Sequence, residues 1–425
     1  MDPCRLSAFQ AVSQIMAGEL TAEGYVESCL ARIRKRESAI HAWAFIDPEL
    51  AIRQARQRDQ RAAQGPLHGI PVGFKDVFDT ADMPTEYNSP IYKNYRPQWD
   101  AASVALTRRA GGIVMGKTVT TEFAYRSPGP TRNPHNLEHT PGGSSSGSAA
   151  AVADFMIPIG IGTQTGGSTI RPASYCGIVG FKPSFNVINR AGLKFVAESL
   201  DHVGVLARTV EDVALYVHAV SGVAMPDFSG AGPGTPRVGV CRHAYWNEAE
   251  PAMQEKLELA ATTLARKGAR VNDFELGPDF DDALADQGVI IDHEAAHAFE
   301  FEYQNHRGRL SALLVESIES GWGYSRDRYD KAILNAVGYR ARLNERFAEY
   351  DFLLTPPGPG EAPRGIARTG NAIFTRLWTM CGVPTVTVPA YTGPQGLPIG
   401  IQIVGPFASD ARTLYWAEWV HRSLQ

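Results

Sequence analysis

The chain has 425 residues, 44% of them hydrophobic and 20% charged, which is the texture of an ordinary globular protein and excludes wholesale disorder. Its 41 basic and 45 acidic side chains leave a net charge of −4, so no basic excess marks a nucleic-acid or anionic-membrane binder. A chain of this length buries roughly three quarters of its unfolded surface, enough to enclose a dehydrated polar site.

The first forty residues read as two helices. Tyr25, Val26, Cys29, Leu30 and Ile33 fall on one helical face, with Thr21 as its N-cap and Gly18 as the stop of the helix before it. Pro48 to Gln64 reads as a polar surface helix. Ile70 to Lys75 reads as a buried strand entered through a turn. A helix is expected from Ser103 to Arg109, a short strand from Gly112 to Gly116, and a helix from Asp212 to Val220. Residues 141–185 are dominated by small side chains. The Gly-, Ser- and Pro-rich stretch between Pro226 and Pro236 is the best linker candidate. Beyond it a strand is expected at Arg237 to Cys241, then a mostly helical and more charged stretch, 250–350. Strands return at Phe352 to Leu354, Thr385 to Val388 and Ile399 to Val404, and a helix closes the chain from Asp410 to Arg422. This order points to one α/β sheet carrying a helical insertion.

Five cysteines, at 4, 29, 176, 241 and 381, are odd in number and scattered, which argues against a disulfide framework or a zinc ribbon. Met-Asp-Pro-Cys-Arg lacks the pattern of a signal peptide. The long uncharged run from Leu377 to Ser409 carries five prolines and five glycines, so it is no spanning helix. The expectation is a soluble, cytoplasmic protein.

The densest chemical signal is Pro141-Gly-Gly-Ser144-Ser-Ser-Gly-Ser-Ala-Ala-Ala, followed by Gly162-Thr-Gln-Thr-Gly-Gly-Ser168-Thr-Ile-Arg171. A flexible linker fits poorly, because apolar residues that need burial follow at once. The lysine of a phosphate loop and the glycine spacing of a dinucleotide site are both absent. Glycines let backbone N–H groups converge, and such groups beside a serine stabilise an oxyanion. The serine needs a base. No histidine triad can be placed among eleven scattered histidines. Lys75 is the alternative, since burial would depress its pKa; on local pattern alone it reads as a strand-end lysine paired with Asp76.

Three blocks then carry a resemblance: Leu67-His-Gly-Ile-Pro-Val-Gly-Phe-Lys75-Asp, Pro141-Gly-Gly-Ser144-Ser-Ser-Gly-Ser, and Thr165-Gly-Gly-Ser168-Thr-Ile-Arg171-Pro-Ala. In this order they resemble the amidase signature family, from about residue 5 to 422. Cys176-Gly-Ile-Val-Gly-Phe-Lys-Pro183 and Gly396-Leu-Pro-Ile-Gly-Ile-Gln-Ile-Val-Gly405 add to it. Thr163 to Arg171 and Pro84-Thr-Glu are most similar to the short, malonamidase-like members. The resemblance implies an α/β fold: one domain over 1–425, a large twisted mixed sheet flanked by helices, with a more helical and variable region at 237–350. It implies a Ser–cis-Ser–Lys triad with Ser168 as nucleophile, Ser144 as bridging serine and Lys75 as neutral base. The N–H groups of Thr165, Gly166 and Gly167 would hold the oxyanion, and no cofactor or metal is needed.

By the same resemblance, Arg171 with the help of Thr163 would bind a substrate carboxylate, and Tyr125 would line the acyl pocket. The implied reaction is hydrolysis of a small amide through an acyl-serine. A malonamate-like half-amide ranks first; aryl amides, ureas and carbamates follow. A homodimer and a role within an amidotransferase assembly are further implications. One motif points elsewhere. His293-Glu-Ala-Ala-His297 is a literal H-E-x-x-H, which on a helix offers two zinc ligands with Glu294 as base and Glu316 or Glu319 as a third ligand. That alternative is a zinc peptidase.

Overall fold

The structure is a computed structural model that describes residues 2–229 and 234–425. Its centre is an eleven-stranded mixed sheet. The strands are β1 (Trp43–Ile46), β2 (Pro71–Lys75), β3 (Ile113–Thr118), β4 (Ile159–Gln164), β5 (Val179–Lys182), β6 (His202–Ala207), β7 (Arg237–Val240), β8 (Arg270–Asp273), β9 (Phe352–Thr355), β10 (Thr385–Thr392) and β11 (Pro398–Val404). They lie in the order β1-β3-β2-β4-β6-β5-β10-β11-β9-β7-β8. Parallel pairing joins β3, β2 and β4, while β4, β6, β5, β10, β11 and β9 alternate antiparallel. The strands β9, β7 and β8 are parallel again. β2 and β3 are buried at every position, as expected of strands covered on both faces.

The two N-terminal helices are Ala8–Met16 and Ala22–Ile40, and the Thr21 side chain accepts a hydrogen bond from the Gly24 N–H as an N-cap. The surface helix stops at Asp59, and the strand expected at 112–116 runs on to Thr118. Five strands, β1, β4, β5, β6 and β8, stand where no strand was assigned. In β4 the reason is visible. Gly162 replaces a bulky strand residue because a Cβ there would lie 2.4 Å from the Ser145 hydroxyl oxygen. The neighbouring helix Ser146–Ala153 presses onto the strand, and Gly147 within it lies where a Cβ would meet the Ala42 carbonyl at 2.2 Å. Glycines thus serve close packing here, and they hide the alternation that marks a strand.

The expected helical region contains helices Pro251–Arg266, Ala283–Ala298, Ala312–Gly323 and Arg326–Arg346. It also supplies β8, an edge strand of the same sheet. The helix Ala283–Ala298 packs against Ala312–Gly323, Arg326–Arg346 and Ile373–Met380. Part of the linker candidate, 230–233, lies outside the described residues. No helix among the described residues is long and apolar enough to cross a membrane.

Candidate active site

The parallel register of β2 and β4 pairs Phe74 with Ile161, so Lys75 ends β2 level with the Gly162–Thr163 end of β4, within reach of Thr163. Lys75 is fully buried. Its side-chain nitrogen donates to Ser144 Oγ at 2.6 Å and to Thr163 Oγ1 at 2.7 Å. Asp76, the expected partner of Lys75, instead pairs with Lys117 at 3.0 Å. β2 ends at Lys75, and Asp76 opens the turn that follows, where its carboxylate meets the Lys117 amine of β3. Burial presses the Lys75 pKa from 10.5 down to about 7, opposed by the charge of Asp201. Asp201 is itself pushed up to about 6 by burial, while hydrogen bonds from Thr165 Oγ1 and the Val196 N–H favour its ionised form.

Ser144 stands in the loop before the helix Ser146–Ala153, and the Gly143–Ser144 peptide is cis. Gly142, at φ +82°, turns the chain there, and a Cβ on it would come within 2.8 Å of Pro172 Cα. The Ser145 N–H donates to the Ser168 carbonyl at 3.3 Å, joining the two serine loops. Ser145 Oγ bonds both the carbonyl and the N–H of Thr163 at 3.2 Å, a structural role.

A cavity of about 520 Å³ is lined by Ser144, Thr165, Gly166, Gly167, Ser168, Arg171 and Tyr125. All but two of the sequence-expected site residues therefore face one space. Lys75 lies behind Ser144. Thr163, expected beside Arg171, hydrogen-bonds Lys75 instead. Arg171 is buried, and its Nη2 donates to the Gly143 carbonyl at 2.7 Å and to Thr369 Oγ1 at 3.1 Å. That first bond braces the residue before Ser144, although Arg171 still borders the cavity.

The sequence did not single out Arg126, Arg368, Arg376 and Asp292, which line the same cavity. Arg126 and Arg368 are exposed, and neither makes an ion pair within 4 Å among the described residues. Arg376 is half-buried, and burial lowers its pKa. Four guanidinium groups against one carboxylate give the cavity a positive potential. The only local cue was Arg126 following Tyr125; the other three come from segments distant in sequence and unpatterned.

The H-E-x-x-H residues lie elsewhere, beside a hollow of about 770 Å³ between the 185–199 segment and the helix Ala283–Ala298. The two imidazoles are neighbours, with ring centroids 4.7 Å apart. Glu294, however, accepts from the Ser199 N–H at 2.9 Å and from the Tyr329 hydroxyl at 2.8 Å. Glu319 accepts from Tyr303 and Arg307, each at 2.7 Å. No group of three or more His, Cys, Asp or Glu side chains among the described residues is placed to hold a metal ion. The motif's glutamate is taken up in packing the helix against its neighbours.

A model of the Amidase family matches residues 24–414. Among curated relatives, a glutamyl-tRNA(Gln) amidotransferase subunit of Lachnospira eligens is 31% identical, with 94% of each chain covered. The corresponding protein of Geobacter metallireducens is 34% identical, with 92% of each covered. Among solved structures, an amidase superposes with a TM-score of 0.90 at 27% identity, covering 99% of this chain and all of the other. A 6-aminohexanoate cyclic dimer hydrolase in complex with its substrate gives 0.89 at 25% identity, covering 100% of this chain and 98% of the other. The fold, the serine- and glycine-rich loops and these similarities agree: the chain belongs to the amidase family, enzymes acting on C–N bonds.

Proposed function

We propose that the enzyme hydrolyses a small anionic amide through a covalent acyl-serine, with Ser168 as nucleophile, Ser144 as proton relay and Lys75 as base. The observation that carries this reading is the buried Lys75 amine, 2.6 Å from Ser144 Oγ and titrating near 7, behind the cavity that Ser168 lines. As Ser168 Oγ attacks the amide carbon, its proton passes to Ser144, and the Ser144 proton passes to Lys75. The N–H groups of Thr165, Gly166 and Gly167 receive the negative charge of the tetrahedral intermediate. The Lys75 ammonium returns its proton through Ser144 to the leaving nitrogen, and ammonia or an amine departs. Water then attacks the acyl-serine by the same relay and frees the acid.

The substrate class rests on the four arginines of the cavity. A half-amide such as malonamate offers the carboxylate they favour, and an arginine fork suits that group. Arg171, held by Gly143 and Thr369, supports the loop and adds charge. A second reading, a role within an amidotransferase assembly, is favoured by the relatives at 31% and 34% identity. Ammonia release by the purified protein alone distinguishes the two. Malonamate should be turned over at least tenfold better in kcat/KM than its methyl ester, and Ser168→Ala should abolish the reaction. Equal kcat/KM for acid and ester would remove the anionic preference. Release from glutamine alone, without turnover of any other amide, would favour the second reading.

A further inference from the structure

The loop from Thr165 to Ser168 belongs to no helix or strand up to Thr169, so something outside it must fix its peptide planes. In a trans peptide the carbonyl of one residue and the N–H of the next point in opposite directions. Three successive carbonyls of this loop are held by buried groups. Gln287 Nε2 donates to Thr165 O at 3.3 Å, Thr379 Oγ1 donates to Gly166 O at 2.7 Å, and the Arg171 N–H donates to Gly167 O at 3.0 Å. Neither Gln287 nor Thr379 borders the cavity, and both side chains are essentially inaccessible to solvent. Anchoring these carbonyls turns the N–H groups of Gly166, Gly167 and Ser168 the other way.

Gln287 is held at both ends of its amide. Its second amide N–H donates to the Arg376 carbonyl at 2.9 Å, and its Oε1 accepts from Arg376 Nε at 2.6 Å. Both amide hydrogens and the carbonyl oxygen are engaged, so the amide cannot rotate without breaking a bond. The loop has little slack of its own. A Cβ on Gly167 would lie 2.3 Å from Thr375 Oγ1, on the helix that carries Arg376 and Thr379.

We propose that Gln287 is a positioning residue: it sets the direction of the Gly166 N–H in the oxyanion-binding loop and, through Arg376, ties that loop to the charged wall of the cavity. The proposal rests on the reading of Ser168 as nucleophile. Gln287 touches no substrate and acts on catalysis through the Thr165 peptide it holds, while Arg376 keeps its own hydrogen bond to the Leu284 carbonyl, at 3.1 Å, without it. Its loss therefore weakens transition-state binding and leaves ground-state binding nearly intact.

Two variants test this. Q287L keeps the volume and removes all three hydrogen bonds. Q287E keeps the acceptor for Arg376 Nε, removes the amide donor to Thr165, and keeps the test open if Q287L does not fold. Folding is checked by circular dichroism and thermal unfolding. The readouts are kcat and KM for malonamate and the affinity for phenylboronic acid, whose serine adduct sets an oxygen at the oxyanion position. Loss of an oxyanion donor costs roughly 100- to 1,000-fold, so a misdirected one should lower kcat by about 10- to 100-fold. KM should stay within about threefold, and boronate affinity should fall in step with kcat/KM. A folded variant with wild-type boronate affinity, or one changed in KM alone, overturns the role of Gln287 while leaving the nucleophile intact. Ser168→Ala binding the boronate as tightly as wild type would overturn the nucleophile, and with it this proposal.

Discussion

Thr163→Asp offers a sharp test of Lys75 as the proposed base, because it leaves Lys75 in place and changes only its electrostatic surroundings. At pH 7.5, a lysine titrating at 10.5 is neutral about once in a thousand molecules, whereas one near 7 is neutral in about three quarters of them. Burial thus supplies nearly three orders of magnitude in available base. The Thr163 hydroxyl lies 2.7 Å from the Lys75 amine, so an aspartate there sets a carboxylate against the ammonium. An opposite charge this near raises a lysine pKa by about 1–3 units. A rise of about two would move the midpoint to roughly 9 and cut the neutral fraction at pH 7.5 about 25-fold. Thr163→Val removes an acceptor of the protonated form, so its midpoint should stay at or below the wild-type value. The assay is the rate of Ser168 labelling by a fluorophosphonate from pH 6 to 10.5, which needs no knowledge of the substrate. Thr163→Asp should be slow at pH 7.5 and recover toward pH 10. If both variants lose rate by one factor at every pH, with the midpoint unmoved, Lys75 is not the titrating base.

The other expectations follow from the same contacts. Lys75→Ala and Ser144→Ala should each lower kcat by about a thousandfold or more, and the double variant should be little worse than either, since both serve one proton transfer; additive losses in steady-state kinetics would reject the relay. Lys182 is a second buried lysine, bonded to the Val383 and Pro183 carbonyls and pressed by burial to about 7. Between about 7 and 10.5 the unfolded chain carries a proton there that the folded chain lacks, so stability rises with pH across that window. Lys182→Met should remove about 2–3 kcal/mol of the gain between pH 7 and 9, measured by urea unfolding at each pH; an unchanged slope would mean that Lys182 is charged in the fold.

Local pattern carried much of this protein. The apolar run at Ile70–Lys75, the helical face through Tyr25 and Ile33, and the N-cap at Thr21 are all decided by neighbours within a few residues, so they are readable from the chain. The family blocks named Lys75, Ser144 and Ser168 as one group from the sequence. What pattern could not reach depended on partners far along the chain. β4 was hidden because Gly160 and Gly162 are small to admit the Ser145–Val152 segment packed on them, and which segment packs there is decided by tertiary contact. The partner of Lys75 was misjudged for a similar reason: Asp76 is its neighbour in sequence but lies in the turn past the strand's end, paired with Lys117. The charge of the cavity assembles from Arg126, Arg171, Arg368 and Arg376, and no sequence period links them. Gln287 reaches Thr165 across 122 residues. Hydrogen bonds to a backbone carbonyl accept any donor that arrives, so only the fold determines which side chain makes them.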